Sequence, residues 1–329
     1  MPSEISRQAK LTTVASFPPN SFLENFAVRA DNSVLITNMN QKQLWHVAGD
    51  TTGAAKPVLL HTFDQMTISL TEVEPDVFYL VTSNGYTDHK SSLHRIDLRN
   101  WRAGDRMQPE KVLDFPDAAR ALNGSCLIGR RTILVADSLA GLIWRVDLPE
   151  DGARPTACVW LQHESMRNYP GRMKPEQPGV NGVRYAPRLG YLYYTATAKK
   201  LFMRVRVDSA LLEALGEPEH VSAGRMADDF CIDEDAGVAY VTTHRENTID
   251  CVSLNPANNS ERFIIAGDPF TAELIGPSSG AWSRAVGEYG KVAYFTTDGG
   301  TASPPPDGVR RPARLLRVEV PEVPQALRR

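Results

Sequence analysis

One arrangement of strands recurs six times along this chain of 329 residues. Each copy contains a strand rich in Val, Ile, Tyr and Thr, and the next strand has aliphatic residues flanking Arg or His. The first of these two strands reads VLITN (34–38), VFYLVTSN (77–84), ILVADS (133–138), LYYTATA (192–198), AYVTTH (239–244) and AYFTTDGG (293–300). Short strands at a repeat of about fifty residues are typical of propeller blades. The repeat therefore predicts an all-β fold, a six-bladed β-propeller with four-stranded blades.

The N-terminal segment KLTTVASF (10–17) has the composition of a fourth strand, but it precedes the first blade. The last repeat, which ends with LLRVEV (315–320), has no fourth strand after it. We therefore expect strand 10–17 to complete the last blade and close the ring, which removes open sheet edges. Because the blades of a closed ring bury their faces against one another, residues 1–329 are predicted to form a single domain.

Charge and hydropathy argue against several classes of partner. With 36 basic and 39 acidic residues the net charge is −3, which provides no electrostatic footprint for nucleic acid. No apolar run approaches the ~18 residues of a membrane span, and the N-terminal segment lacks the apolar core of a signal peptide. The four cysteines show no CxxC spacing and are expected to be reduced, buried thiols. The sequence thus predicts a cytoplasmic protein with no nucleic-acid partner and no membrane span.

Aligning the turns that open the six blades brings one position of each blade into register. The blades start near residues 24, 68, 123, 181, 228 and 278, and the register residues are Glu24, Ile68, Asn123, Asn181, Asp228 and Ser278. Four of them carry side-chain oxygens that suit a hard cation such as Ca²⁺, Mg²⁺ or Mn²⁺. Any one Asn or Asp here also fits a residue that begins a strand and satisfies turn amides. Their shared register favours a divalent-cation site at the axis, with ligands Glu24, Asn123, Asn181 and Asp228.

These residues resemble the metal site of a known superfamily. Glu24, Asn123–Gly124, Asn181–Gly182 and Asp228 are similar to the axial set of the six-bladed gluconolactonase/regucalcin (senescence marker protein) propellers, over roughly residues 10–320. The resemblance implies a divalent metal on these side chains, with Asp228 as the base in lactone hydrolysis. Two segments depart from the family pattern. The Glu–Gly–Pro–x–Trp opening is replaced by residues 24–28 (ENFAV), and the Pro–Asp–Gly turn by residues 227–230 (ADDF).

Those departures resemble a narrower group. The phrases FLENFAVRADNSVLITN, EVEPDVFYLV, GVNGVRY and ADDFCIDEDAGVAYVTT are similar to fungal propellers of natural-product biosynthesis, some of which act as hetero-Diels–Alderases. This resemblance implies a [4+2] addition of a tropolone-type quinone methide to a humulene-type sesquiterpene. The partners would be an apolar terpene and a polyketide-derived tropolone, and the cycloaddition itself would require no cofactor. Glu24 and Asp228 are the candidate acid and base for forming the quinone methide by loss of water.

Apolar residues are expected to complete the substrate pocket. Ile68 makes one sector of the mouth apolar, which suits a hydrocarbon, although ordinary axial packing explains it equally well. The longest connection between blades, residues 161–179, carries Met166, Tyr169 and Met173, which could form an adaptable apolar wall. The alternative is a loop that only covers the blade junction. The remaining predicted substrate contacts are Asn123, Asn181 and Ser278.

Two further loops differ in their expected roles. Segment 83–91 could add Tyr86 and His89 to the rim of the pocket, whereas the Pro-rich segment 298–312 is predicted to be a flexible surface turn. The sequence contains no HExxH or Walker motif, which argues against the chemistries those motifs serve. Three hypotheses remain: a hetero-Diels–Alderase, a metal-dependent lactonase, and a non-catalytic scaffold. The scaffold is disfavoured because scaffolds rarely need clustered oxygen ligands at an axis.

Overall fold

The computed structural model describes residues 8–49, 55–150, 153–169, 176–258, 262–269, 273–324 and 327. It confirms the predicted propeller: six antiparallel four-stranded sheets form a ring. The first blade contains β2 (Leu23–Val28), β3 (Val34–Asn38), β4 (Gln43–Val47) and β5 (Val58–Thr62). The second contains β6 (Thr67–Glu74), β7 (Val77–Ser83), β8 (Ser91–Asp97) and β9 (Glu110–Asp114). The third contains β10 (Leu122–Leu127), β11 (Thr132–Asp137), β12 (Leu142–Asp147) and β13 (Thr156–Gln162).

The remaining blades repeat this order. The fourth contains β14 (Val180–Ala186), β15 (Tyr191–Ala196), β16 (Leu201–Val207) and β17 (Ala214–Ala223). The fifth contains β18 (Phe230–Asp233), β19 (Val238–Thr243), β20 (Thr248–Ser253) and β21 (Arg262–Gly267). The sixth contains β22 (Pro277–Trp282), β23 (Val292–Thr297), β24 (Ala313–Glu319) and the N-terminal strand β1 (Lys10–Phe17). The single-turn 3-10 helix Glu164–Met166 lies between the third and fourth blades, and a second one, Pro256–Asn258, lies within the fifth blade.

The N-terminal strand closes the ring, as the sequence predicts. β1 pairs antiparallel with β24, from Lys10 opposite Glu319 to Phe17 opposite Ala313. The sixth blade is therefore built from both ends of the described chain. Because this pairing covers the open edge of β24, it also protects that strand from association with other chains.

The core lies between neighbouring blades. The second strand of five blades is buried along its whole length, because it is paired on both sides and covered on both faces. One apolar cluster joins β7 of the second blade to β11 and β12 of the third, with Val81, Leu93 and Val135 fully buried. Each such side chain contributes about 1.5–3 kcal/mol on burial. The apolar contacts between blades therefore stabilise the ring.

Side-chain hydroxyls provide a second, repeated contact between blades. A Thr near the end of a second strand donates a hydrogen bond to the carbonyl of a register residue in the next blade. These interblade hydroxyl bonds are Thr37 to Ile68 (3.3 Å), Thr195 to Asp228, Thr242 to Ser278 (3.1 Å) and Thr296 to Glu24 (2.9 Å). The last bond spans the junction between the sixth and first blades. The hydroxyls thus fix the backbone at the axis from one blade to the next.

Cysteine placement and helix length bear on two of the expectations above. The four cysteines are free; Cys126, Cys231 and Cys251 are buried as expected, but Cys158 is exposed on the outer strand β13. Both helices in the described ranges are single turns, and neither is long and apolar enough to cross a bilayer.

Candidate functional site

A shift in strand pairing marks the register position of the blades. The pairing of first and second strands shifts between Leu23 and Phe26, Thr67 and Ser69, Leu122 and Ser125, Val180 and Val183, and Pro277 and Gly280. In the fifth blade the register residue, Asp228, lies just before β18, and its amide donates to the Thr242 carbonyl at 2.8 Å. Because a bulge leaves a residue unpaired and redirects its side chain, it frees these positions from the sheet.

A cavity of about 310 Å³ lies where these positions converge. Five of the six register residues line it: Glu24, Ile68, Asn123, Asn181 and Asp228. The structure thus brings together all four predicted oxygen donors and the one apolar residue of the set. Glu24 and Asp228 are almost completely buried, at 4% and 6% exposed.

The wall of the cavity combines apolar and polar groups. The first three blades contribute the apolar residues Phe22, Met39, Met66, Ile68 and Leu122, together with the Glu24 carboxyl and the Asn123 amide. The fourth and fifth blades contribute amide, hydroxyl, carboxylate, imidazole and guanidinium groups, from Asn181, Thr197, Asp228, His244 and Arg245. A ligand held here therefore contacts both hydrocarbon and groups capable of proton transfer.

The two buried carboxyl groups of the cavity, Glu24 and Asp228, both have raised pKa values. Burial raises the pKa of Asp228 to about 6, with a further increase from the charge of Asp229, whereas the positive charge of His244 opposes the rise. Burial, followed by the charges of Asp228, Asp229 and Asp298, raises the pKa of Glu24 well above its usual value. The Asn181 amide donates to Asp228 Oδ1 at 2.5 Å, which favours the ionised form. Two buried carboxyl groups with raised pKa values suit proton transfer, which makes Glu24 and Asp228 the candidates for an acid and a base.

Asp229, next to Asp228 in sequence, has its own partners. Arg184 forms an ion pair with its Oδ2 atom, and the Ser279 hydroxyl donates to the same oxygen at 2.5 Å. A Cβ atom on Gly182 would lie only 2.4 Å from Asp229 Oδ1. The glycine after Asn181 is therefore required by the close approach of the next blade.

The oxygen-donor set fits a divalent cation on two grounds. Across the described ranges, no Lys or Arg forms an ion pair with Glu24 or Asp228, and the buried Asn123 Oδ1 atom has no hydrogen-bond partner. No cluster of three or more His, Cys, Asp and Glu side chains suited to a metal occurs in the described part of the chain. A metal here would therefore require the amide oxygens of Asn123 and Asn181 in addition to the two carboxylates.

His244, which lines the cavity, pairs with the buried Asp298, and the sequence repeat did not predict this contact. Nε2 of His244 lies 3.1 Å from Oδ2 of Asp298, in an ion pair rather than a well-aligned hydrogen bond. Phe22 stacks on the imidazole, with ring centroids 5.2 Å apart and planes 4° from parallel. Burial alone would lower the pKa of His244, but the Asp298 carboxylate outweighs it and raises the pKa.

His244 and Asp298 share a position that the repeat could have revealed. Each is the first residue after the second strand of its blade, as are Met39 and Ser138. Of these four residues, His244, Met39 and Ser138 line the cavity. Asp298 belongs to the segment 298–312, which was expected to be only a surface turn. That expectation is wrong at this end of the segment, because Asp298 holds His244 and Ala302 lines the cavity.

Three predicted substrate contacts, Ser278, Met166 and Tyr169, are not among the described residues around the cavity. The Ser278 hydroxyl donates to the Leu23 carbonyl at 2.6 Å, so it is used in closing the ring. Met166 is fully buried in the apolar cluster between the third and fourth blades. Tyr169 is partly exposed on the surface beside Lys199. Met173 lies outside the described residues. The expectation of a Met and Tyr wall is therefore corrected for Met166 and Tyr169.

Tyr86, predicted for the rim, does line the cavity, together with Gly85 of the same loop. His89 instead borders a different surface cleft, beside His61 and His94. Arg245 lies at the opposite side of the rim, where its Nη1 donates to the Ala302 carbonyl at 3.1 Å. Tyr86 and Arg245 are thus polar groups near the entrance to the cavity.

No protein-family model and no curated protein sequence matches this chain. The structure is similar to that of a luciferin-regenerating enzyme, with a TM-score of 0.67 and 12% identity, over 94% of this chain and 95% of that one. It is also similar to a gluconolactonase from Xanthomonas campestris (TM-score 0.64, 12% identity, 97% and 93% covered). A third similar structure is regucalcin, a calcium-binding protein from Agrobacterium tumefaciens (TM-score 0.61, 14% identity, 96% and 98% covered). At these identities the likeness shows the fold alone.

Proposed function

We propose that the chain is an enzyme whose axial cavity binds an organic substrate between an apolar wall and an acid–base pair. The observation that supports this proposal is that one cavity combines an apolar surface with the buried carboxyl groups of Glu24 and Asp228. A sugar-sized polar ligand would gain little from Phe22, Met39, Met66 and Ile68, whereas an alkene would bury apolar surface there at about 25 cal/mol per Å².

The reaction we propose is the joining of a tropolone-type quinone methide to a humulene-type alkene. Loss of water from a hydroxymethyl tropolone gives the quinone methide: Asp228 accepts the proton of the ring hydroxyl, and Glu24 donates a proton to the departing hydroxyl. The [4+2] addition then forms one C–C and one C–O bond and releases nothing. Holding both reactants in one orientation can supply several of the ~7–11 kcal/mol available from proximity.

The experiment is incubation of the purified protein with a hydroxymethyl-tropolone precursor and humulene, followed by chiral chromatography. We expect a cyclised adduct of one configuration, formed faster than in buffer. Ile68→Asn should slow the reaction by introducing a polar group into the apolar wall, whereas the matched change Ile264→Asn, on an exposed outer strand, should not. Absence of acceleration and of stereocontrol would refute this reaction.

A metal-dependent lactonase is the second candidate, favoured by one observation. Glu24, Asn123, Asn181 and Asp228 all line the cavity and fit a divalent cation, which when bound would polarise a carbonyl group. Hydrolysis of a simple lactone that requires added Ca²⁺, Mg²⁺ or Mn²⁺, and that disappears in Asp228→Ala, would support this reading. A melting temperature unchanged by the three cations would count against the metal-dependent candidate.

A further inference from the structure

We infer that His244, held by Asp298 and Phe22, donates a hydrogen bond to the carbonyl oxygen of the conjugated substrate. This inference deepens the proposed function and rests on it. The proton stays on the imidazole, since the addition itself forms two σ bonds at the expense of two π bonds and needs no proton. A hydrogen bond to the oxygen of the heterodiene withdraws electron density from it and lowers the barrier to attack by the alkene.

Position is the first argument. His244 lines the same cavity as Asp228 and the apolar wall, although it is only 7% exposed. Nε2 lies 3.1 Å from Asp298 Oδ2 without a well-aligned hydrogen bond. The hydrogen bonds among the described residues include none that involves Nδ1. The ring therefore keeps one nitrogen for a ligand, and the stacked Phe22 limits rotation of the imidazole.

The second argument is that Asp298 is itself fixed. Its Oδ1 accepts from the Gly300 amide and its Oδ2 from the Ala302 amide, both at 2.7 Å. Burial opposes ionisation of Asp298, but His244 and these amides outweigh burial and lower its pKa. A histidine oriented by a buried, ionised carboxylate is the arrangement that enzymes use to hold an imidazolium in place. His244 follows β19 of the fifth blade and Asp298 follows β23 of the sixth, so the arrangement depends on the packing of these two blades.

Charge is the third argument. Glu24, Asp228, Asp229 and Asp298 are four buried acids around the axis, and Arg184 is already paired with Asp229. His244 is therefore the cation that offsets Asp298, and it is held in contact with the cavity instead of being buried away from it. The charged and titratable groups that bear on the imidazole are Asp298, Asp228 and Arg245. Arg245 also borders the cavity and is the competing donor.

The test uses tropone, a neutral conjugated ketone, as the probe, because its binding can be measured without turnover. Imidazole resonances of the ¹⁵N-labelled protein are recorded with and without tropone, and the His244 signals are assigned by their loss in His244→Gln. We expect tropone to shift the His244 signals and to bind about tenfold to a hundredfold more weakly to His244→Gln, as for loss of a hydrogen bond from a charged donor. His220→Gln, on an exposed outer strand, is the matched control and should bind normally.

Asp298→Asn tests the positioning role. Removing this carboxylate should lower the pH at which the His244 signals titrate and weaken tropone binding at neutral pH, while an unchanged titration would overturn the role of Asp298. Equal tropone affinity in the wild type and His244→Gln, with His244→Gln folded by circular dichroism, would overturn the inference.

The proposed cyclisation and the proposed role of His244 fail separately. If tropone binding depends on His244 but no adduct forms, the cyclisation is wrong and carbonyl binding stands. If the adduct forms equally fast in His244→Gln, the cyclisation stands and the role of His244 is wrong.

Discussion

Asp228→Asn should make the protein more stable at alkaline pH, even though it removes a proposed catalytic group. Burial raises the pKa of Asp228 from its ordinary 3.8 to about 6, so the folded state holds this proton more tightly than the unfolded chain does. This group therefore contributes most to stability in acid, and its contribution falls as the pH rises from the ordinary pKa of 3.8 to the raised pKa of about 6. Above pH 6 the folded protein bears the full cost of a buried charge.

The size of that cost follows from the two pKa values. A separation of about two pH units corresponds to about 3 kcal/mol, at about 1.36 kcal/mol per unit. The amide of the variant has nearly the shape of the protonated acid and keeps an oxygen for the Asn181 amide to donate to. The variant should therefore be more stable than the wild type by up to about 3 kcal/mol at about pH 8, with little difference at about pH 4.

Urea unfolding of both proteins at the two pH values measures this difference. A chelator should be present throughout, because a bound divalent cation would stabilise the wild type by mass action. Asp64→Asn, at an exposed position, controls for the general effect of removing one negative charge. If Asp228→Asn is no more stable than the wild type at the higher pH, the inference of a destabilising buried charge is refuted.

Three other predictions concern the ring and its cavity. Thr296→Val should cost about 1–3 kcal/mol, because it leaves the buried Glu24 carbonyl without this donor; Thr296→Ser should restore most of the loss in melting temperature. A chain that begins after β1 exposes the edge of β24, so it should lose cooperative unfolding and associate, as seen by calorimetry and light scattering; a monomer with a normal transition would contradict this. Arg245→Gln removes a positive charge that lowers the pKa of Asp228, so the acidic limb of the pH–rate profile should move to higher pH; an unmoved limb would count against Asp228 as the base.

The repeat alone was sufficient to predict the fold and most of the axial site. It predicted the closing role of strand 10–17 and brought Glu24, Ile68, Asn123, Asn181 and Asp228 to one cavity, because a propeller turns equivalent positions towards one axis. The prediction for Ser278 did not hold because a short hydroxyl side chain found a nearer acceptor, the Leu23 carbonyl. The same periodicity also predicts that the residues following the second strands, His244 and Asp298 among them, lie near the axis.

The loop residues could not be predicted in the same way. Their positions depend on packing that has no repeat behind it: the 3-10 turn Glu164–Met166 directs Met166 into the core between two blades, away from the axis. The His244–Asp298 pair likewise arises from contact between two blades rather than from sequence proximity. The sequence repeat thus predicted the repeated features of the structure, whereas the positions of side chains on irregular segments became clear only from the three-dimensional structure.

The interblade hydroxyl bonds bear on how such a site could evolve. Their acceptors are the backbone carbonyls of register residues, and a backbone carbonyl is present whatever side chain the residue carries. A mutation that exchanges a carboxylate for an aliphatic group at the axis therefore leaves these bonds available, as Ile68 illustrates by accepting one from Thr37 while facing the cavity. Mutational drift can alter the chemistry of the pocket while the bonds around it persist, which would allow one scaffold to acquire new reactions one position at a time.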